Sequence, residues 1–407
     1  MVRRSVLAMF AVMAIVLGGV VVSTPAGAVV DSATIVPSPN AGTSNDEPVS
    51  VSCVSASDCV AVGNTNTGSG PETLVMVWDG TEWSIVTSPN AGIYDYLNSV
   101  SCVSASDCVA VGYTYTGSAY ETLVMVWDGT EWSIVTSPNA GTSNDELVSV
   151  SCVSASDCVA VGSTNTGSGT ATLVMVWNGS AWSIVTSPNA TGSNNYLESV
   201  SCASATDCVA VGYTNTGSGT ETLVMVWDGS AWSIVTSPNA GTSNDRLYSV
   251  SCVSATECVA VGYADIGDNV YETLVMVWNG SAWSIVTSPN AGTIDDSLYS
   301  VSCVSATECV AVGSTWTGSA NETLVMVWDG SAWSIVTSPN ASTSLDMLFS
   351  VSCASATECV AVGITETGEV VETLVVSLTG PVPPPTTPVP PSTTTVSSGP
   401  VVPAFTG

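Results

Sequence analysis

Residues 97–139 read LNSVSCVSASDCVAVGYTYTGSAYETLVMVWDGTEWSIVTSPN. The chain repeats this unit almost end to end. The first cysteine of each copy stands at Cys53, Cys102, Cys152, Cys202, Cys252, Cys303 and Cys353, so the spacing stays between 49 and 51 residues. A fixed period of this size is the mark of an array built from one supersecondary unit. Such a unit is too small to bury a core alone, so its neighbours must cover it.

Four short runs in the unit read as strands. Residues 97–102 alternate apolar and small polar side chains, as a half-buried strand does. Residues 103–107 reverse the chain, and 108–111 lead into Gly112 and a polar connector. Residues 122–127 are apolar throughout, which suits a strand covered on both faces. Asp128-Gly129 is a tight-turn signal. Residues 132–136 form the fourth strand, ended by Pro138-Asn139. Nothing has helical periodicity. A unit of four short antiparallel strands is a propeller blade.

The first three strand types occur seven times, but the fourth occurs only six times, opening at Trp83, Trp132, Trp182, Trp232, Trp283 and Trp333. The missing copy lies at the other end of the chain. Residues 33–40, ATIVPSPN, match it with Thr34 in place of tryptophan. We therefore expect an all-β, seven-bladed β-propeller over 29–380, its last four-stranded antiparallel blade completed by the N-terminal strand. Loop-closure entropy grows only logarithmically, so closing so long a ring costs little more than closing a short one.

The unit's order resembles the kelch and galactose-oxidase type of propeller. It runs from a small-residue strand to V-A-V-G, then V-W-D-G, then a tryptophan opening the outer strand. Closure by an N-terminal outer strand is similar too. The resemblance covers roughly residues 32–380. It departs at Val62-Gly63, where kelch repeats carry a double glycine, and in the cysteine pairs, which they lack. W-D-G-x-x-W is also similar to the Asp-box of sialidases, where one more residue separates aspartate from glycine. The resemblance implies architecture and partner binding, and transfers no active-site residue.

Residues 1–28 read as a secretory signal peptide, with Arg3 and Arg4, an apolar run over 6–22, and Ala26-Gly27-Ala28 for cleavage. No later stretch is long and apolar enough to span a bilayer as a helix. Beyond this leader stand 34 acidic residues and one basic residue, Arg246, a net charge of −33. Such a polyanion repels nucleic acid and anionic lipid. The fourteen cysteines fall into seven C-x5-C pairs. In a secreted chain the pairs Cys53-Cys59, Cys102-Cys108, Cys152-Cys158, Cys202-Cys208, Cys252-Cys258, Cys303-Cys309 and Cys353-Cys359 read as hairpin disulfides. Metal binding is the rival reading, although zinc sites favour closer spacing. Residues 381–407 are rich in Pro, Thr and Ser and read as an extended stalk. Their last five residues, PAFTG, resemble a sortase signal, which would hold the protein on a cell wall.

Variation among the copies concentrates in two connectors. One follows the glycine (for example 113–120 and 263–271), and the other follows Pro-Asn (for example 91–98 and 292–299). In a four-stranded up-and-down blade both lie at one end, so a binding face is expected there. It carries Tyr94, Tyr96, Tyr113, Tyr115, Tyr120, Tyr196, Tyr213, Tyr248, Tyr263, Tyr271, Tyr299 and Trp316. Exposed rings beside Asn, Asp and Thr suit a glycan or an extracellular protein partner. The same face carries Asp95, Asp145, Glu146, Asp245, Asp265, Asp346 and the trio Asp268, Asp295 and Asp296. That trio is the best candidate for calcium, a cation that takes oxygen ligands. No other cofactor is expected, and a monomer is.

The chain has no histidine, and no lysine at all. The usual bases and triads are therefore missing. Paired carboxylates remain, as in glycoside hydrolysis. Glu72, Glu121, Glu221, Glu272, Glu322 and Glu372 recur before the third strand, but Ala171 replaces one of them, which points to a surface role. The first reading is a secreted, non-catalytic binding module. A structural surface spacer is the second, and a carboxylate glycosidase the third.

Overall fold

The computed structural model describes residues 29–42, 45–141, 143–268, 270–292 and 294–381. The leader and the tail from residue 382 lie outside the described residues.

Every regular element among the described residues is a β-strand. Twenty-eight strands form seven antiparallel four-stranded blades. In blade 2 the order from the axis outward is Tyr94–Ser104, Asp107–Tyr115, Tyr120–Trp127 and Trp132–Val135. Blade 7 takes three strands from the C-terminal part, Asp346–Ser355, Glu358–Thr367 and Val370–Thr379. Its outer strand is Ser32–Val36, paired from Ser32 against Thr379 to Val36 against Val375. The chain is thus a seven-bladed β-propeller whose first strand completes its last blade.

The alternation in the innermost strand explains how blades fit. Val100 packs with Val62 and Val75 of blade 1. Ser99 and Ser101 point to the other side, where each Oγ accepts a backbone N–H of blade 3, from Val150 at 3.2 Å and Cys152 at 3.0 Å. Strands converge near the axis, so only a small side chain fits there, and a hydroxyl satisfies the neighbour's amide. The pattern runs the whole way round. It closes where Val51 N–H donates to Ser350 and Cys53 N–H to Ser352. Two rings of seven hydrogen bonds therefore encircle the axis. The apolar core is likewise shared between successive blades. Leu97, Leu123, Met125 and Trp132 of blade 2 lie against blade 1, and Leu74 and Met76 of blade 1 lie with Val362 and Val375 of blade 7.

Each outer strand is held by its S-P-N segment. In blade 2 Asn139 Oδ1 accepts Thr122 N–H at 2.8 Å and Ser137 Oγ meets Thr122 Oγ1. The motif tryptophans are packing residues. Trp132 and its equivalents are 5–6% exposed, while Trp127 lays its indole N–H on Ala105 O. All seven cysteine pairs are disulfides closing the hairpins between the first and second strands. That bonding fits an oxidising compartment.

One expectation needs correction. Gly112 does not end the second strand; it lies inside Asp107–Tyr115. Its register partner is Leu97, beside a bulge that skips from Leu97 to Ser99. The backbone of Tyr96 and Leu97 comes so close that any Cβ on Gly112 would collide with it. The glycine answers this close approach rather than a strand end.

Candidate functional site

The two variable connectors meet at one end of the ring. The turn after the second strand bonds to the connector arriving at the first strand: Ile93 N–H donates to Tyr115 O in blade 2. Between blades 5 and 6, Tyr271 N–H donates to Ile294 O, and Tyr271 bridges Asp295 in parallel. The connector itself is tied by one buried acidic residue. Asp95 accepts Ala91 and Gly92 N–H; Asp145, Asp245, Asp296 and Asp346 repeat the pattern, with Asn195 in blade 4. These carboxylates shape the loops instead of facing a ligand.

The calcium trio is not brought together. Asp296 is spent on its own connector, Asp268 stands exposed on a turn at φ 57°, and Asp295 pairs in register with Trp316. Among the described residues no group of three acidic, cysteine or histidine side chains could hold a metal ion.

The aromatic candidates do gather at this end, but on strands and half-buried rather than on exposed loops. Tyr94 stacks on Tyr115 at 5.7 Å, Tyr96 on Tyr113 at 4.8 Å and Tyr196 on Tyr213 at 4.9 Å. Each pair sits directly opposite across the first two strands. Tyr120 closes on Tyr113 edge-on, and Tyr271 does so on Tyr263. Tyr248 contacts Tyr263 and, across the blade boundary, Tyr299 at 5.6 Å; Tyr299 reaches Phe349 of blade 7 at 6.0 Å. Burial raises the Tyr113 and Tyr248 hydroxyls and pushes Tyr213 up to about 12, so all three stay protonated at neutral pH.

At this end the axis opens into a cavity of about 390 Å³. Its wall is built from the bulges. The skipped residue of each innermost strand is Val49, Asn98, Val148, Glu198, Tyr248, Tyr299 or Phe349, and all seven line it. A bulge turns its extra residue out of the pleat, and here that direction is toward the axis. Below this ring lie the seven serines from Ser50 to Ser350. The reading of residue types alone missed Asn98, Glu198 and Phe349 as wall residues. A signal was present, because the position before S-V-S-C is the one that changes most inside an otherwise constant motif.

Burial pushes the Glu198 carboxyl up to about 7, with Arg246 acting against the shift and Glu146 adding to it. Arg246 stands over the Tyr213 ring, its guanidinium carbon 4.2 Å from the centroid, a cation–π contact. Smaller clefts of 120–180 Å³ recur between blades at the opposite end, lined by the disulfides and the half-buried tryptophans.

No family model matches this chain. No curated protein matches it by sequence. Among solved structures it is similar to YCF48 bound to D1 peptide, at 14% identity and TM-score 0.53, over 88% of this chain and 99% of that one. It is also similar to the GH74 xyloglucanase of Xanthomonas campestris, at 12% identity and TM-score 0.51, over 81% of this chain and 54% of that one. At such identities the likeness shows the β-propeller fold and nothing of activity.

Proposed function

We propose that the protein is a secreted, non-catalytic binding module that takes an extracellular protein or glycan at the variable end of its ring. The observation that carries this reading is the convergence of the bulged residues. The changing position of a near-constant repeat is delivered, blade after blade, into one cavity, whose wall includes Tyr248, Tyr299 and Phe349. A surface spacer needs no such convergence. Orientation supports the same reading. Asp31 N–H donates to Thr379 O, and Gly380 N–H donates to Thr357 O at a hairpin tip, so both ends of the described chain leave from the opposite face. A stalk or wall anchor following Gly380 would hold the cavity outward. Closure by the N-terminal outer strand keeps a kelch-like origin as our preferred ancestry.

The test is to immobilise the mature monomer and probe glycan and extracellular-protein arrays, with and without calcium. Binding that Tyr248→Ala weakens supports the module. No binding to either array favours the spacer. A dependence on calcium that Asp268→Ala or Asp295→Ala removes would support a metal role.

Glu198 favours a second reading, carboxylate-based glycoside hydrolysis. A carboxyl with a pKa of about 7 holds the proton that a general acid needs at neutral pH. It is, however, the single acidic residue in the cavity wall among the described residues, and the reaction needs two.

A further inference from the structure

We infer that the axial cavity is a pocket for a neutral sugar, one or two pyranose rings inserted along the axis. The inference rests on the binding-module reading and names the ligand class for its site.

The wall is divided into two arcs. Blades 5, 6 and 7 contribute Tyr248, Tyr299 and Phe349, a contiguous aromatic arc with rings 5.6 and 6.0 Å apart. Blades 2 and 4 contribute the Asn98 amide and the Glu198 carboxyl. A pyranose has the matching division, with C–H groups on one face for aromatic contact and hydroxyls at its edge for polar partners.

The floor completes the match. Each serine from Ser50 to Ser350 accepts one backbone N–H from the next blade. Among the described residues none of the seven donates its own hydroxyl proton to a protein acceptor. Six of them are only 8–9% exposed. Each therefore keeps one donor and one lone pair without a protein partner, on residues that line the cavity. A sugar hydroxyl both donates and accepts, and so suits such a group on either side. A peptide backbone presents donors and acceptors at fixed alternate sites and leaves part of the ring unmatched. Buried donors without partners disfavour an apolar ligand as well.

Charge selects within the class. The mature chain carries −33. Arg246, the one cation beyond the leader, is not part of the cavity lining. Uronic and other acidic sugars would meet repulsion without a compensating partner. A cavity of about 390 Å³ lies within the usual range for small-molecule sites.

The experiment is an array of neutral and uronic-acid oligosaccharides of one to four residues, followed by calorimetric titration of the best neutral binder. Val148→Phe fills the cavity and Tyr299→Ala removes the middle ring. Glu131→Gln, on the exposed opposite face, serves as control. We expect at least tenfold weaker binding for the first two variants, an unchanged control, and at least tenfold weaker binding of uronic-acid analogues. Thermal midpoints within a few degrees of wild type exclude misfolding, and Tyr299→Ala stands in should Val148→Phe fail to fold. The inference is overturned if no neutral sugar binds at millimolar concentration, or if one binds Val148→Phe as well as wild type. A protein ligand lost on Tyr94→Ala and kept on Val148→Phe would sink the sugar pocket yet leave the binding module standing. Silence from sugars and proteins together would remove both.

Discussion

Ser38 Oγ lies 2.7 Å from Thr373 Oγ1, although 335 residues separate them. Asn40 Oδ1 accepts Thr373 N–H beside it. The same clasp holds the outer strand of the other six blades, but there the chain itself keeps the strand close. In blade 7 only noncovalent contacts do so.

The ring closure should therefore be the weak seam. We expect Ser38→Ala/Asn40→Ala to cost about 2–4 kcal/mol, from two lost hydrogen bonds and a stranded amide. Ser187→Ala/Asn189→Ala, the equivalent change within blade 3, should cost less. Urea midpoints of both double variants measure the difference; equal losses would show that closure is not limiting.

Gly112→Ala and Gly68→Ala should behave differently. At Gly112 a Cβ meets the Tyr96 backbone, which cannot yield without disrupting the bulge. We expect a loss of about 3 kcal/mol or more. Gly68 has open space around it and a φ of 88°, so only backbone strain is added, about 1 kcal/mol. Thermal melts of the two variants test the contrast.

Each disulfide closes a loop of sequence separation 6. Cys152→Ala/Cys158→Ala should lower stability by about 2 kcal/mol, the loop-entropy value for so short a ring. Denaturant unfolding of the variant checks this, and reduction of all seven should lower the melting temperature far more.

Glu198 binds its proton more tightly in the folded chain than its ordinary value of 4.5 allows, at about 7. Its contribution to stability is then fully present below about pH 4.5 and is lost as pH rises through about 7, by at most about 3 kcal/mol. Glu198→Gln should flatten that decline. Arg246 holds the carboxyl partly down, so Arg246→Met should move the decline to higher pH. Unfolding measured from pH 4 to 9 reports both; a wild-type profile without this slope would contradict the burial.

Much of the fold is legible in the residues because a period of about 50 carries it, and because ATIVPSPN has no use except as the missing outer strand. The site was harder to see. Tyrosine positions put the rings at one end of the blades, but a residue list cannot show that Tyr96 will stack on Tyr113 and be partly buried there. The partners of the acidic residues were hidden for a similar reason. Asp95 and Asp296 look like free carboxylates until the backbone amides that they cap are in place. The axial wall depends on a bulge, which moves a residue from one face of a strand to the channel. In the residues only the glycine opposite and the changing position before S-V-S-C hint at it.

Gly380 lies so close to the backbone of Val29 that a Cβ there would collide with it. A tag, a fluorophore or a surface linkage joined directly at Val29 or at Gly380 therefore arrives on one and the same side. Sensor chips loaded through either of these two points would hold the molecule in the same attitude, with the axial opening turned to the flowing sample.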